Sequence, residues 1–415
     1  MLLIPSLKRK TKHFSIENII DPNDFYLSLS VYHGEMEPLV VVGQKVLQYE
    51  CLAESKQMFA TKIHAPVSGT IKGIVDIAGK LHIHLENDFE NKSIERNVID
   101  TENISLAEFS KLLEHFGIEG AGGSRFPTAL KYRIQVGSIE TLIFNGVECE
   151  PYLSADAVLM KEKTEELIKT AHLLQNLLQS KRTIFVLEKQ NKDIANQIKQ
   201  MARKYDVTID ICLVPDTYPQ GSELQVIKAV TGMELKKGEI PASKGILVNN
   251  VGTIWAIHQA IFQGKPYTER IVTVSGNKSE RQGNYWVKIG TSVTHLLNQT
   301  QRNVDTSEHL IILGGAMMGK EMDKNTAFIS KGSGGVLLLK KQNATFQNCI
   351  KCGECVDVCP QRLMPFEFVR NDDNVDILKE FNLQSCVECG ACAYTCPSHI
   401  PLMESIFNGK KMVAS

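Results

Sequence analysis

The sequence predicts a multidomain α/β protein, and three observations carry that reading. At 415 residues the chain is too long for one hydrophobic core, so two to four domains are expected. Between residues 141 and 262, short apolar strands alternate with amphipathic helices, the pattern of a parallel sheet covered by helices. Near the end, most of the 11 cysteines fall into two evenly spaced runs that mark a separate module. The divisions expected are an N-terminal β barrel-sandwich at 1–102, a Rossmann-like parallel α/β domain at 103–265 and a small β-grasp-like domain at 266–320. A linker at 321–342 and a helical two-cluster module at 343–415 complete the chain.

Bulk properties exclude little. A net charge of −1 gives no ground for nucleic-acid binding. The hydrophobic content of 43% is ordinary, and no apolar run approaches the ~18–20 residues that span a bilayer. The first twelve residues place a short apolar piece before Lys8, Arg9, Lys10 and Lys12. That order is the reverse of a secretory signal. The cluster of charge reads as a solvated tail, and the protein is expected to be cytoplasmic and soluble alone.

Along the chain, 27–84 is a succession of short β-branched runs, clearest at 38–46 and 65–74, broken by Gly43, Gly69 and Gly73. This argues a compact barrel or sandwich. It is similar to lipoyl- and biotinyl-type domains, which carry a modified lysine at a hairpin tip. Lys56 lies nearby, but its spacing to Ala65 and Pro66 does not match, so a barrel without a swinging arm is expected.

Leu106, Phe109, Leu112, Leu113 and Phe116 recur at helical spacing over 103–116. Gly120, Gly122 and Gly123 follow, and such a loop can turn backbone N–H groups inward around an anion. A short helix near Thr128 would add its positive end. The loop fails the dinucleotide fingerprint, because Arg125 stands where the third Gly belongs and a helix rather than a strand precedes it.

Strands are then expected at 141–144, 183–187, 209–214 and 245–248, with helices at 159–178, 194–205, 222–230 and 253–262. Ligands of such sheets bind at the carboxyl ends of the strands. The first strand runs into Asn145, Glu148, Glu150, Pro151 and Tyr152. Those polar groups could hold ribose hydroxyls or a flavin ring, or simply form a turn before a helix; local sequence leaves both open. Ser222 reads as the N-cap of the next helix. Strands at 271–274 and 310–313 around a helix near 293–297 suggest the small β-grasp-like module. Gly314 to Gly319 ends it, and the glycines at 332–335 mark the linker.

The cysteine runs are the most specific signal. Cys349, Cys352, Cys355 and Cys359 precede Pro360; Cys386, Cys389, Cys392 and Cys396 precede Pro397. Both read C-x-x-C-x-x-C-x-x-x-C-P, the bacterial ferredoxin spacing for [4Fe–4S] clusters. Three closely spaced thiolates wrap one cube, and the fourth points to the other. One ligand set is therefore Cys349, Cys352, Cys355 and Cys396; the other is Cys386, Cys389, Cys392 and Cys359. Gly353 and Gly390 allow the backbone close to sulfide. Zinc sites usually use separated Cys pairs, and Cys51, Cys149 and Cys212 are isolated, as in a reduced chain.

The loop Gly120-x-Gly122-Gly123-x-x-Phe126-Pro127-Thr128, the segment from Asn145 to Tyr152, Tyr218 to Glu223 and the twin cysteine runs occur in that order. Together they resemble the RnfC family of the Rnf electron-transport complex, and the middle is similar to the flavin-binding subunit of respiratory Complex I. The resemblance covers about 27–401. It implies an NADH-linked oxidoreductase with FMN in the Gly-rich loop and NADH near Glu148 and Glu150. Gly120, Gly122, Gly123, Phe126, Thr128, Lys131, Asn145, Glu148 and Glu150 are the cofactor-binding residues it implies; it singles out no catalytic residue. It also implies a soluble-ligand-binding β-grasp domain and a peripheral place on the cytoplasmic side of the inner membrane. Integral and other Rnf subunits would be the partners, with ferredoxin reached indirectly and electron transfer coupled to Na⁺ or H⁺ movement. A hydride carries two electrons and a cluster takes one, so a flavin is the converter expected between them. Arg125 departs from the Complex I loop, where Gly stands. The alternatives are a stand-alone flavin/iron–sulfur reductase, such as a cobalamin reductase, and a non-catalytic scaffold.

Overall fold

The computed structural model describes residues 2–414 apart from 32–33, 56–58, 60, 303, 305–307 and 342–344. Lys56 therefore lies outside the described residues.

The N-terminal unit sets a four-stranded sheet (Asp24–Ser28, Lys80–Asn87, Gly69–Ile77, Lys45–Val46) against a three-stranded one (Glu37–Pro38, Cys51–Glu54, Lys62–His64). Alternate side chains point inward, as in Asp24–Ser28, where Phe25 and Leu27 are buried between half-exposed neighbours. They meet Val46, Leu52, Ile63, Ile71, Ile83 and Leu85 in one core. The run 38–46 is not one strand. Gly43 sits at φ +82° and Gln44 N–H returns to the Val41 carbonyl, so the chain turns there and leaves Val41 and Val42 exposed.

The second unit is a parallel sheet in the order Asp210–Val214, Arg182–Glu188, Thr141–Asn145, Ile246–Asn250. Alternation sorts its two faces. Leu142, Phe144, Phe185 and Leu247 meet helices Thr164–Leu178 and Val251–Gln263; Ile143, Ile184, Val186 and Val248 meet Val226 and Ile227 of Glu223–Thr231. Each fully buried side chain of this kind contributes roughly 1.5–3 kcal/mol. The helix Leu106–His115 starts at a capping box of Ser105 and Glu108. The helix expected at 159–178 is two, Ala155–Glu162 and Thr164–Leu178, separated at Lys163. Thr164 Oγ1 bonds back to the Met160 carbonyl, the local competition that bends helices.

The third unit corrects the expected linker at 321–342. Gly335–Lys340 is a central strand of a six-stranded mixed sheet, between Glu269–Ser275 and His309–Leu313. Val336, Leu337 and Leu338 are fully buried. Gly335 marks close packing rather than a flexible joint: a Cβ there would meet Leu153 at 2.3 Å. The sheet also takes Glu17–Asn18 at its edge, beside Gly283–Lys288, so the start of the chain does not belong to the barrel alone.

The C-terminal module is a set of short helices around Leu363, Phe368, Leu378, Leu383, Leu402 and Ile406. It is docked on the parallel-sheet unit rather than held free. Tyr218 Oη donates to the Cys389 carbonyl at 2.6 Å, and Lys237 Nζ to the Cys386 carbonyl at 2.7 Å. Leu2, Ile4 and Met317 pack around the buried Tyr218, Cys389 and Ala391. Among the described residues, no helix is long and apolar enough to cross a membrane.

Candidate redox site

Parallel strands bring their carboxyl ends to one edge, and here that edge gathers Asn145, Glu188 and Asn250. The glycine loop closes over it. Glu119 pairs with Pro127, Gly120 N–H donates to Phe126 O at 2.9 Å, and Thr128 N–H to Ile118 O at 3.0 Å. Ala121 N–H bonds Thr253 Oγ1, and Arg270 donates to the Ala121 carbonyl. A Cβ on Gly122 would stand 3.5 Å from Asn250 Cβ, whereas Gly123, at φ +104°, faces open space. The loop is thus pinned at both ends and free of side chains at its tip, where a ring and phosphate need room.

Arg125 does not enter that space. It adopts φ +55°, the conformation that a Gly at this position takes without strain. Its Nε donates to Glu119 Oε2 at 2.8 Å, and Lys331 takes the other carboxylate oxygen at 3.1 Å. Burial opposes ionisation of Glu119, but Lys331 and Arg125 outweigh it and hold the carboxyl below its usual value.

The remaining expected residues divide. Asn145 Nδ2 donates to Gly221 O and its Oδ1 accepts from Val147 N–H, tying the strand end to the 218–223 turn. Ser222 occupies the N-cap position of the next helix without a side-chain cap bond. Lys131 donates to Val248 O at 2.7 Å and pairs with Glu223 at 3.2 Å. Thr128 is buried, and the Phe126 ring meets Phe59 edge-on. Glu150 is turned away from the loop: it accepts the N–H groups of Met317 and Met318 at 2.8 and 3.0 Å. Glu148 is half-buried. Asp156 N–H donates to its Oε1 at 3.4 Å, its Oε2 has no partner, and burial, reinforced by Asp156, pushes the carboxyl up to about 8.

Two residues escaped sequence reasoning. Asn250 caps helix Val251–Gln263 and donates to Asp156 Oδ2 at 2.6 Å, beneath Gly122; the signal available was an Asn ending a strand before a helix. Lys8 overturns the expected solvated tail. It is 3% exposed, donates to the Glu148 carbonyl and lies 3.6 Å from Glu188. Nothing distinguishes it in sequence from Arg9, Lys10 and Lys12, because only the fold shows which cation meets buried carboxylates.

The cysteines fit two cubes. A cavity is lined by Cys359, Cys386, Cys389 and Cys392, one expected ligand set. Burial raises the Cys392 thiol to about 12, and Cys389, Cys386 and Cys359 are the thiols near enough to add to it. Cys355, raised first by burial, feels Cys352 and Cys396, members of the other set. Cys359 thus lies with Cys386, Cys389 and Cys392, and Cys396 with Cys355. Among the described residues, no three His, Cys, Asp or Glu side chains converge on a single ion. A cube is held at its corners, so its thiolates stand farther apart than zinc ligands. Gly353 and Gly390 both adopt positive φ.

Comparison with known proteins agrees with this arrangement. Family models match for an RnfC barrel sandwich hybrid domain over 2–89, a Nuo51 FMN-binding domain over 113–259 and a 4Fe-4S dicluster domain over 348–400. The RnfC protein of the ion-translocating oxidoreductase complex of Haemophilus influenzae (strain ATCC 51907 / DSM 11121 / KW20 / Rd) is 35% identical over 387 residues, 89% of this chain and 47% of the relative. Its counterpart in Pectobacterium atrosepticum is 36% identical over 376 residues, 87% and 54% of the two chains. The chain is a homologue of RnfC. It spans about half the length of the curated RnfC relatives it matches. Its fold is shared with a chain of an NAD⁺-reducing [NiFe]-hydrogenase in the H₂-reduced state, with a TM-score of 0.54 and 16% identity, covering 75% of this chain and 61% of that one. The RnfC homologue therefore joins a barrel-sandwich, an FMN-binding domain and a 4Fe-4S dicluster domain in one multidomain α/β chain.

Proposed function

We propose that this chain is a peripheral subunit of a membrane-bound, ion-translocating electron-transport complex and passes electrons between NADH, FMN and two [4Fe–4S] clusters. The observation that carries the reading is the seating of the cysteine module on the FMN-binding domain through Tyr218 and Cys389. A flavin-binding domain with one thiolate set packed against it offers a short path. When bound, FMN supplies the exchange between a two-electron hydride donor and one-electron carriers.

In this reading Gly120, Gly122 and Gly123 admit the flavin to the backbone, with Phe126 and Thr128 closing the loop. Lys131 offers its cation beside the carboxyl ends of the strands. Asn145 and Glu148 form the polar floor, and Glu150 joins the floor to the 315–319 turn. Cys349, Cys352, Cys355 and Cys396 hold one cube, and Cys386, Cys389, Cys392 and Cys359 the other. The mixed sheet is a β-grasp-type module of the soluble-ligand-binding kind, whose six strands, with Gly335–Lys340 among them, carry the dicluster domain. Integral subunits of an Rnf complex, on the cytoplasmic side of the inner membrane, are the partners, and ferredoxin is reached through them.

The test is anaerobic reconstitution with FMN, iron and sulfide, followed by mixing with NADH. Flavin bleaching followed by the spectroscopic signals of reduced clusters is expected. An intact flavin and cluster content that NADH leaves oxidised would overturn the nucleotide assignment. Solubilised native membranes should yield the chain with integral subunits; full NADH-linked activity in the soluble fraction alone would favour a stand-alone reductase.

A further inference from the structure

Lys8 lies in a part of the molecule where a cation is costly. It is carried in by segment 2–14, which is tied down along its length. Leu2 pairs with Tyr218 through two bonds of 2.8 Å, Ser6 O accepts from Tyr152 N–H, and Asn284 donates to Thr11 O. Burying an ammonium group costs several kcal/mol unless it is paired. The partners are present. Lys8 touches the Glu148 carbonyl and lies 3.6 Å from Glu188. Glu188 is 4% exposed, and Glu148 leaves one carboxylate oxygen unpartnered.

The same group of acids reaches the glycine loop. Asp156 N–H donates to Glu148 Oε1, Asn250 Nδ2 donates to Asp156 Oδ2, and Asn250 lies against Gly122. A continuous chain thus runs from Lys8 through Glu148, Asp156 and Asn250 to the loop. Resting on the FMN reading above, we propose that Lys8 is a positioning residue of the flavin pocket, the shared cation that sets the charge of the acidic floor behind the 120–126 loop.

The groups facing Lys8 come from several elements. Glu148, Cys149 and Glu150 lie in the turn after the first parallel strand, Asp156 in the helix that follows, and Glu188 at the end of the second strand. Asp216 acts on Glu188, and Arg270 on Asp156. Burial raises the carboxyls of Glu148, Glu150, Asp156 and Glu188 above their usual values, and Lys8 opposes that rise in all four. A floor of this kind changes its proton count above the usual carboxylate range, and its cation shifts that change. Four acids of one sign, Glu188 buried and the other three half-buried, are a poor way to build a core. Their place at the carboxyl edge of the sheet gives them a functional reason.

The experiment measures FMN affinity across pH for the full chain with its clusters reconstituted, comparing wild type with Lys8→Gln. Removing the cation favours the neutral acids, so the midpoint of the pH profile should rise by about one unit, a tenfold change in proton affinity. Titrations of the ligand itself are common to both proteins and cancel. Lys10→Gln, which removes an exposed charge from the same segment, should leave the profile unchanged. Superimposable profiles for wild type and Lys8→Gln would overturn the proposal. Failure of the wild type to bind FMN would instead overturn the reading on which it rests. If Lys8→Gln lacks native circular dichroism or iron, wild-type hydrogen exchange decides. FMN should slow exchange in segment 2–12 several-fold, and unchanged exchange there would overturn the proposal.

Discussion

The two cysteine runs have the same spacing and different surroundings. Cys389 and Cys392 are buried, and their loop lies under Tyr218 and beside Met317. Lys237 and Lys410 both donate to the Cys386 carbonyl. Cys349 and Cys352 are exposed, and near them Phe346 and Ile350 are about two-thirds exposed. Identical ligand chemistry is therefore placed once inside the molecule, against the flavin-binding domain, and once at its rim. The lesson is that spacing specifies a cluster, whereas its neighbours specify its potential and access.

The largest expected effect comes from breaking each set in turn. Cys392→Ser and Cys352→Ser should each remove about four of about eight irons. Only Cys392→Ser should also loosen the module itself, because Cys392 belongs to its apolar core around Leu363 and Phe368. Iron analysis with limited proteolysis checks this; equal protease sensitivity in the two variants would erase the distinction. Next, Tyr218→Phe leaves the Cys389 carbonyl without its donor, at a cost of about 1–3 kcal/mol. A lowered thermal midpoint is expected, with faster hydrogen exchange around 386–392.

A subtler effect sharpens the electrostatic side. Lys237→Met removes a cation that bonds the Cys386 carbonyl, so the inner cluster should become harder to reduce, by an amount on the order of tens of millivolts. The rim cluster should keep its potential, and a redox titration followed by electron paramagnetic resonance separates the two. The smallest effect belongs to Arg362, whose 3.2 Å pair with Glu234 is exposed on both sides. Arg362→Ala should leave the thermal midpoint unchanged, because exposed pairs contribute little to stability. A lowered midpoint would mean that the rim run is attached more firmly than its exposure implies.

Much of this architecture was legible in the chain because period and spacing report it directly. The four parallel strands stand out through their alternation with helices, and the twin runs through their offsets. Harder to read were glycines and charges whose meaning depends on a distant neighbour. Gly335 looks like a hinge until Leu153 is seen filling the place of its side chain. Arg125 looks like an intruder in a glycine loop until Glu119, equally anonymous in sequence, is found buried beside it. Glu150 sits in a motif that promises a nucleotide contact, yet its oxygens cap the backbone of Met317 and Met318. Lys8 lies 140 residues from the carbonyl it meets, a separation at which local pattern carries no information.

The short turn held by Glu150 has a kinetic consequence. On one side, a Cβ added to Gly315 would collide with that carboxylate at 2.2 Å. On the other, a Cβ on Gly390 would stand 2.8 Å from the Met317 carbonyl. The turn therefore acts as a spacer of fixed thickness between the acidic floor and the inner cysteine loop, with no slack on either side. Electron tunnelling falls off exponentially with distance, so the thickness of such a spacer governs a rate far more steeply than it governs any affinity. On the electron-transfer function proposed above, an extra residue inserted there would be felt first as a slower current.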